Sequence, residues 1–407
     1  MALPQGFQLQ WPWLLNAAKN SEQFKSHLPL NIKLYDSIQE VPKETWNAVI
    51  GDRSCTFSHE FWNVVERAHL NDFRYRHALF FNPQGEAVAL TSFYTITTDI
   101  AIFAPNSLRN LLKICRRVYP NFLKLTMLEC GTPVILNSPP LVCRPGENET
   151  ALFQELHTLL HGLARKEGQL LIVIRDFESN AQNFQSQFKK LGYYWAQMIP
   201  NTYMDIPWKS PEDYLNSMKS YYRSKLRKHL AINQAQGIRH ELTSEFHHLA
   251  EQLCRQWLVV HHQADEFARE KLTPEFYHEL SHQMGERSKA LLYYKGDELV
   301  GHALLLQDGE LLRWLYFGRE TAVNDSLYIY VGWSVVHSAI LLGAKQLELG
   351  LTTYPIKQDL GAQLEPIHIA LRGTSNFINT FVGWFYPLLN RVPPIRNRNV
   401  FKTGIRN

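Results

Sequence analysis

Three polar residues that could take part in a group transfer lie at and just after the end of a short apolar segment. The segment at residues 346–350 reads QLELG and contains Glu348, and Tyr354 and Lys357 follow it. Glutamate could draw a proton from an attacking amine, lysine could hold a phosphate or carboxylate by charge, and tyrosine could donate a hydrogen bond to a leaving group. We predict that these three residues are catalytic; the alternative for Glu348 is a surface carboxylate on an edge strand.

A second set of charged residues is concentrated on a predicted helix at residues 212–236. Three of its cations recur at positions i, i+4 and i+8 and therefore form one stripe, which consists of Lys219, Arg223 and Arg227. Together with Lys225, this stripe could hold the phosphates of coenzyme A, the end of a tRNA or a lipid headgroup. On composition alone, a solvated basic face is the simpler interpretation.

The elements that must position the three polar residues can be read from residues 299–350. An apolar run at 299–306, a turn at Asp308 and Gly309, and a second run at 311–317 predict a hairpin. Apolar residues then recur at helical spacing until Gly343, and residues 346–349 form a short strand. Arg313 and Tyr316 lie on opposite faces of the strand at 311–317. Because one face must meet the cleft, both are candidate substrate contacts.

This order of elements resembles the acyl-transfer half of the GNAT fold, in the FemAB-like and cellulose-biosynthesis-associated branch (peptidoglycan biosynthesis/recognition). Members often carry a tyrosine, two residues, a lysine and a following glycine after the last core strand, which here are Tyr354, Lys357 and Gly361. The resemblance extends to the basic helix and, in weaker form, to residues 31–200. It implies an α/β protein with mixed sheets and a tandem GNAT-like fold whose first unit is degenerate.

The resemblance and the prolines at positions 207 and 211 together suggest four regions. These are an N-terminal segment (1–30), a degenerate GNAT-like unit (31–206), a GNAT acyltransferase unit (207–376) and an aromatic and basic tail (377–407). The basic helix borders the cleft in such proteins, so we predict that Lys219, Arg223, Lys225 and Arg227 bind an anionic part of the substrate. The proline-rich loop at 131–146 should roof this cleft.

The activity that the resemblance implies is N-acyl transfer of a group other than an aminoacyl group. The donor would be a thioester of coenzyme A or an acyl carrier protein, used as co-substrate without a permanently bound cofactor, and the acceptor an amine on a lipid, sugar or peptide. The segment RETAVNDSL stands where acetyl-CoA enzymes carry a glycine-rich turn, which disfavours small acetyl-CoA donors. The alternatives are aminoacyl transfer from tRNA to a cell-envelope precursor and a non-catalytic module that binds an envelope component.

Composition excludes several other classes of protein. Of the 407 residues, 45% are hydrophobic and 20% charged, which is typical of a globular protein, and a net charge of +4 does not favour a nucleic-acid partner. The five cysteines show no metal-ligand spacing, which favours reduced thiols in a cytosolic protein. Four histidines on residues 245–268 lack a paired carboxylate, so we predict no metal site. Cys130 lacks a paired base and is not favoured as a nucleophile.

Two aromatic segments have the composition of segments that contact a membrane surface. The N-terminus lacks the pattern of a secretory signal, and no apolar run is long enough to span a bilayer. Residues 11–15 and 377–389 could still contact a headgroup layer, the second with the basic residues Arg391, Arg396, Arg398 and Lys402 beside it. A helix packed beneath the second unit is the alternative, and it is the one we favour. We therefore expect a cytoplasmic protein and consider peripheral contact with the inner membrane.

Overall fold

The computed structural model describes residues 30–99, 114–122, 124–136, 139–177, 182–263, 270–321, 326–389, 392 and 395–402. The elements of the first half are, in chain order, β1 (Asn31–Tyr35), α1 (Lys43–Ile50), α2 (His59–Arg67), β2 (Arg74–Phe81), β3 (Ala87–Asp99), β4 (Lys124–Cys130), β5 (Val142–Cys143), α3 (Glu149–Lys166), β6 (Leu171–Phe177), α4 (Gln182–Lys190), β7 (Tyr194–Gln197) and β8 (Asn201–Asp205).

The second half repeats this succession after two additional helices. Its elements are, in chain order, α5 (Pro211–Ser217), α6 (Ser220–Ala235), β9 (Ile238–Thr243), α7 (Ala250–His261), α8 (Pro274–Met284), β10 (Ser288–Lys295), β11 (Glu298–Asp308), β12 (Leu311–Arg319), α9 (Leu327–Leu341), β13 (Gln346–Glu348), α10 (Tyr354–Asp359), β14 (Gln363–Glu365), β15 (His368–Gly373) and α11 (Asn376–Leu389).

Two mixed sheets carry the fold, and they have the same internal plan. The first has the order β1-β2-β3-β4-β6-β15-β7, with β5 beside β3, and the second has the order β14-β8-β13-β12-β11-β10-β9. In each sheet one central pair is parallel, β4 with β6 and β12 with β13, and a helix connects its two strands. This repeat confirms the predicted tandem GNAT-like fold with mixed sheets.

The two sheets exchange one strand each. Strand β8 precedes the prolines that were predicted to separate the units, yet it pairs with β13 and β14 in the second sheet. Strand β15 comes from the second half and lies between β6 and β7 of the first sheet. The predicted ranges 31–206 and 207–376 therefore do not coincide with the two sheets, because the backbone partners of β8 and β15 lie in the opposite half.

A shared hydrophobic core joins the two units. The helices α1 and α2 of the first unit and α7 and α8 of the second bury aromatic side chains in one cluster, including Trp46, Phe61, Trp257 and Phe276. Burying a side chain of this size contributes about 1.5–3 kcal/mol relative to leaving it exposed. Because helices from both halves supply the cluster, neither unit can be removed without exposing apolar surface of the other.

The aromatic segment near the C-terminus forms α11, which packs on β15 and thus on the first sheet. Its Asn379 side chain accepts a hydrogen bond from the Gly373 backbone N–H at 2.9 Å and donates one to the Gly192 carbonyl at 2.9 Å. The prediction that residues 377–389 form a helix packed beneath the second unit is therefore wrong in its position, because the helix packs on the first sheet. The other predicted aromatic segment, residues 11–15, lies outside the described residues.

Candidate active site

A cavity of about 360 Å³ lies where β12 and β13 diverge. The two strands pair in parallel only from Leu311 with Gln346 to Arg313 with Glu348. Beyond this point β12 continues to Arg319, whereas the chain after β13 turns away, so residues 313–317 and 348–353 form two walls of the cavity. Because the two strands no longer pair with each other beyond this point, a carbonyl oxygen can be accommodated between them.

The remaining walls come from both units. They consist of residues 133–136 of the proline-rich loop, Trp257, Val260 and His261 of α7, Ile367 and Ile369 near β15, and Arg175 and Asp176 of β6. The Leu136 carbonyl accepts a hydrogen bond from the Arg313 guanidinium at 3.3 Å. Residues 133–136, which belong to the loop predicted to roof the cleft, thus line the cavity.

Glu348 is buried in the wall of the cavity and already has two partners. Its side chain forms an ion pair with Arg313 and accepts a hydrogen bond from the Asn201 amide at 2.8 Å. Arg313 and Glu348 are only 6% and 5% exposed. Glu348 is therefore neither on an edge nor a free carboxylate; it is a buried anion whose charge is balanced by arginine.

Arg313 also pairs with Asp308, whose carboxylate lies 3.1 Å away. Burial disfavours its charged form, but the Glu348 and Asp308 carboxylates outweigh burial and raise the pKa of Arg313. Asp308 in turn accepts hydrogen bonds from the Ser54 hydroxyl at 2.5 Å and the Cys55 backbone N–H at 2.7 Å. One arginine thus connects the cavity wall to the first unit.

Lys357 is the unusual ionisable group of the cavity. Its side chain is 4% exposed, and its amine donates a hydrogen bond to the Leu351 carbonyl at 2.5 Å. Burial lowers the pKa of Lys357 to about 7, and the nearby Glu348 carboxylate opposes this shift only in part. A large fraction of the lysine is therefore neutral at physiological pH and can accept a proton, which a fully charged anion anchor could not do.

The backbone beside Lys357 is strained. Thr352 and Thr353 have φ angles of 62° and 48°, which β-branched residues rarely adopt. Both line the cavity, together with Gly350, where an added Cβ would lie 3.7 Å from the Trp314 carbonyl oxygen. Strain of this kind costs on the order of 1–3 kcal/mol per residue and is commonly retained at functional sites.

The two predicted tyrosines are placed differently. Tyr316 lines the cavity, and its hydroxyl donates a hydrogen bond to Glu270 at 3.0 Å. Burial and this carboxylate raise the pKa of Tyr316 well above its usual value, so it remains protonated. Tyr354 is not among the residues that line this cavity, and its hydroxyl donates to the Pro200 carbonyl at 2.8 Å. The structure thus brings Glu348, Lys357, Arg313 and Tyr316 together but not the Tyr354 hydroxyl.

The predicted basic helix is two helices, α5 and α6, which are separated at Met218 and Lys219. The chain is extended there because Met218 pairs with Phe401 as an isolated bridge and the Lys219 N–H donates to the Val400 carbonyl at 2.9 Å. The Lys219 ammonium donates to the Asn399 carbonyl at 3.0 Å, and the Arg223 guanidinium to the Met218 carbonyl at 3.2 Å. These two cations are therefore engaged with the chain itself.

The other two predicted cations are more exposed. Lys225 pairs with Asp359 at 2.6 Å, and Arg227 lies 3.6 Å from Glu212. None of the four predicted cations of this helix lines the cavity. Helix α6 instead meets the start of α9, where His229 lies 2.9 Å from the Ser326 hydroxyl. The basic helix is thus next to a helix N-terminus, which attracts anions.

Sequence reasoning missed Arg175 and Asp176, which line the cavity from the first unit. Arg175 donates a hydrogen bond to the Tyr94 hydroxyl at 2.8 Å and lies 3.5 Å from the Asp176 carboxylate. Asp176 is buried and has a φ angle of 65°. Both stand at the end of the buried segment LLIVIRDF, directly after the last pair of the parallel strands β4 and β6, as residues 349 and 350 do after β12 and β13. This equivalence between the repeats could have identified them.

Other reactive groups are placed away from this chemistry. Burial raises the pKa of the Cys130 thiol to about 12, which leaves it protonated and poorly nucleophilic. Within the described ranges, no group of three or more histidine, cysteine, aspartate or glutamate side chains could hold a metal ion.

Comparison with known proteins gives a family and a shared fold. A family model for FemAB-like proteins, described as peptidoglycan biosynthesis/recognition, matches residues 37–350. Two curated Mycobacterium tuberculosis proteins, from strains CDC 1551 and H37Rv, are each 24% identical over 329 residues, which is 79% of this chain and 42% of each relative. Both bear the provisional name 8-amino-7-oxononanoate synthase 2. Because the match covers 42% of each relative, this chain spans less than half of their length.

Solved structures with a similar fold share little sequence. FemX is 12% identical, with a TM-score of 0.52 over 83% of this chain and 96% of its own. The C-terminal domain of a provisionally assigned lysylphosphatidylglycerol synthetase from Agrobacterium fabrum is 11% identical, with a TM-score of 0.51 over 85% and 96%. A Bacteroides thetaiotaomicron protein of unknown function is 11% identical, with a TM-score of 0.51 over 84% and 99%. At this level of identity the likeness is one of fold.

Proposed function

Because its model matches residues 37–350, the chain belongs to the FemAB-like family of peptidoglycan biosynthesis/recognition proteins, and we propose that it is an N-acyltransferase. It transfers an acyl group from a thioester donor to an amine. The observation that carries this proposal is the cavity between the diverging strands β12 and β13, which contains a buried lysine with a pKa of about 7.

In the proposed reaction, the acceptor amine attacks the thioester carbonyl while backbone N–H groups of the diverging strands stabilise the oxyanion. The neutral Lys357 amine accepts the proton that the attacking nitrogen loses. The C–N bond forms, the C–S bond breaks, and the leaving thiolate takes the proton from the Lys357 ammonium. Lys357 thus acts as the base, a role that the sequence pattern assigned to Glu348, because the Glu348 carboxylate is occupied by Arg313 and Asn201.

The phosphate-bearing part of the donor binds at the surface formed by α6 and the N-terminus of α9. The N-terminus of α9 and the nearby cations Lys225 and Lys228 create a positive potential. Burial, and then these two cations, lower the pKa of His229 at this place. Such a surface suits the phosphates of coenzyme A or of a carrier-protein arm. The acceptor amine, on a lipid, sugar or peptide, enters from the side of Arg175 and Asp176.

Aminoacyl transfer from tRNA is the second candidate. Family membership favours it, and the cations of α6 could contact a tRNA backbone. In both reactions an amine attacks an activated acyl carbon, so the cavity chemistry alone does not separate them. A non-catalytic module that binds an envelope component would need none of this chemistry.

A ligand screen distinguishes these functions. We expect coenzyme A thioesters of one chain-length range to raise the melting temperature, since a ligand at 100 times its Kd stabilises by about 2.7 kcal/mol. Release of free thiol in the presence of simple amines would then establish turnover, with Lys357→Met as the inactive control. Stabilisation or turnover with aminoacyl-tRNA alone would favour the second candidate, and binding without turnover of any donor would favour the binding module.

A further inference from the structure

Helix α11 turns aromatic side chains outward. Phe377, Phe381, Trp384 and Phe385 are 73%, 43%, 65% and 52% exposed. Their spacing of i, i+4, i+7 and i+8 places them on one helical face. The ring centroids of Phe377 and Phe381 are 4.8 Å apart, and those of Phe381 and Phe385 are 5.8 Å apart. This continuous apolar patch, the aromatic face of α11, is of the kind that marks an interaction surface.

The opposite face of α11 is already packed, so the aromatic face is not a part of the core that failed to close. Asn379 is bonded to Gly373 and Gly192, and the Tyr386 hydroxyl lies 3.6 Å from the Met198 sulfur. An added Cβ at Gly383 would lie 2.4 Å from the Tyr194 hydroxyl oxygen. These contacts fix the rotation of the helix and therefore hold its aromatic residues toward the outside.

Exposed cations surround the start of α11. Helix α3 ends with Arg165 and Lys166, and α4 ends with Lys189 and Lys190. The residues just after these helices are tied to α11, since the Thr374 hydroxyl donates to the Gln169 carbonyl at 2.9 Å and Asn379 donates to the Gly192 carbonyl. The four cations therefore lie near the start of α11.

We propose that the aromatic face of α11 docks on the surface of an anionic phospholipid bilayer, with the helix parallel to the membrane plane. Aromatic side chains would enter the boundary between headgroups and acyl chains, and the four cations near the start of α11 would contact the lipid phosphates. A second copy of this chain is disfavoured as the occupant because it would bring cations of the same sign together. No helix of the described ranges is long and apolar enough to cross a bilayer, so the contact is peripheral.

Vesicle co-sedimentation of the full chain tests this docking. We expect binding to vesicles of phosphatidylcholine with one quarter phosphatidylglycerol, and weak binding to phosphatidylcholine alone. The double variant Phe381→Ser/Trp384→Ser should bind at least tenfold more weakly, because bilayer affinity scales with the apolar area that is inserted. The matched control is Tyr221→Ser, which removes an aromatic residue that is 69% exposed on α6 and should bind like the wild type.

The same assay tests the contribution of the cations and whether a bilayer or a second copy of the chain covers the aromatic face. Lys189→Glu/Lys190→Glu should lower the affinity for anionic vesicles by about fivefold or more per cation. Added salt should also weaken vesicle binding, because it screens the attraction. The control Lys209→Glu should leave vesicle binding unchanged. Circular dichroism of each variant confirms that it is folded. Equal binding of wild type and Phe381→Ser/Trp384→Ser, or no binding to the anionic vesicles, overturns the proposal. So does a concentration-dependent dimer that the aromatic variant abolishes, since the occupant would then be a second copy.

Discussion

At the scale of single residues, the cavity combines a buried arginine that is shared by two carboxylates with a buried lysine that has no ion-pair partner of this kind. Arg313 pairs with both Glu348 and Asp308, so one buried cation stabilises two buried carboxylates. Lys357 lies near this group, and its amine donates a hydrogen bond to the neutral Leu351 carbonyl. Burial therefore acts on Lys357 with little opposition and favours its neutral form.

The first prediction concerns the base. Lys357→Met should lower turnover by about 10²–10⁴, the usual contribution of a positioned base. Wild-type kcat should fall as the pH drops below about 7, because the lysine is then protonated and cannot accept a proton. Kinetics from pH 5 to 9 test this, with thiol release as the readout. A pH-independent kcat, or a variant that keeps wild-type turnover, would remove Lys357 from the mechanism.

The same substitution should stabilise the protein. The pKa of Lys357 is 10.5 when unperturbed and about 7 in the folded protein, so between these values the unfolded chain binds more protons. Wild-type stability therefore rises with pH across this window, and below pH 7 the wild type carries the full cost of the buried charge. At pH 6, Lys357→Met should be more stable by about 1–3 kcal/mol, and this advantage should shrink toward pH 10. Urea unfolding at both pH values measures it.

The second prediction separates structure from catalysis at Glu348. Glu348→Gln should cost about 3–5 kcal/mol of stability, since it leaves the Arg313 charge without one of its partners. Arg313→Met should cost more, because two buried carboxylates lose their cation. Arg227→Met, which removes a surface pair, should change stability by only about 0.5 kcal/mol. If Glu348→Gln leaves stability unchanged but abolishes turnover, Glu348 is the base after all.

At the scale of elements, the important feature is the break between α5 and α6. One continuous helix would have carried the whole basic stripe past the cleft, but the bridge of Met218 to Phe401 interrupts it. Lys219 and Arg223 then donate hydrogen bonds to nearby backbone carbonyls. Lys225 and Arg227 are more exposed, on the helix that meets the start of α9. The stripe is therefore divided into a structural part and an accessible part.

The third prediction tests the accessible part. Arg227→Glu/Lys228→Glu should raise the KM for a phosphate-bearing donor by about five- to tenfold, because it reverses the local field near the α9 N-terminus. The kcat should not change, and the melting temperature should stay within a few degrees, as for other surface sites. Lys345→Glu, at an exposed position on another surface, is the control. Unchanged KM in the double variant would restore the interpretation of a solvated basic face.

At the scale of the whole molecule, the exchange of β8 and β15 makes the two units depend on each other. Each exchanged strand pairs on both sides within the opposite sheet, so its removal would leave one outer strand, β14 or β7, without a neighbour and one inner strand with an open edge. The shared cluster of α1, α2, α7 and α8 adds a second connection. The cavity is formed between the units and therefore requires both.

The fourth prediction follows from this exchange. Residues 30–206 and 207–402, expressed separately, should not unfold cooperatively, because each lacks a central strand and exposes part of the shared core. Co-expression should restore a folded complex, and the full chain should unfold in a single transition. Urea unfolding followed by circular dichroism and by tryptophan fluorescence tests this. Two separable transitions in the full chain, or a cooperative transition in either fragment alone, would contradict it.

The sequence by itself determined the local elements and their order. Short-range patterns indicated the turn at Asp308 and Gly309, the helical spacing that ends at Gly343 and the weak repeat at residues 31–200. The resemblance of this order of elements to a known family then implied the tandem fold. The same patterns placed Glu348, Lys357, Arg313 and Tyr316 near one another, because they lie on consecutive elements at the end of the central strands.

Only the tertiary structure decided which strand joins which sheet and what charge each polar group carries. Strand β8 pairs with β13 across more than 140 residues, and the Arg313 guanidinium meets the Leu136 carbonyl 177 positions away. Local sequence patterns do not encode such distant partners. Burial and distant partners set the free energy of a charge, and therefore they paired Glu348 with Arg313 and lowered the pKa of Lys357 to about 7.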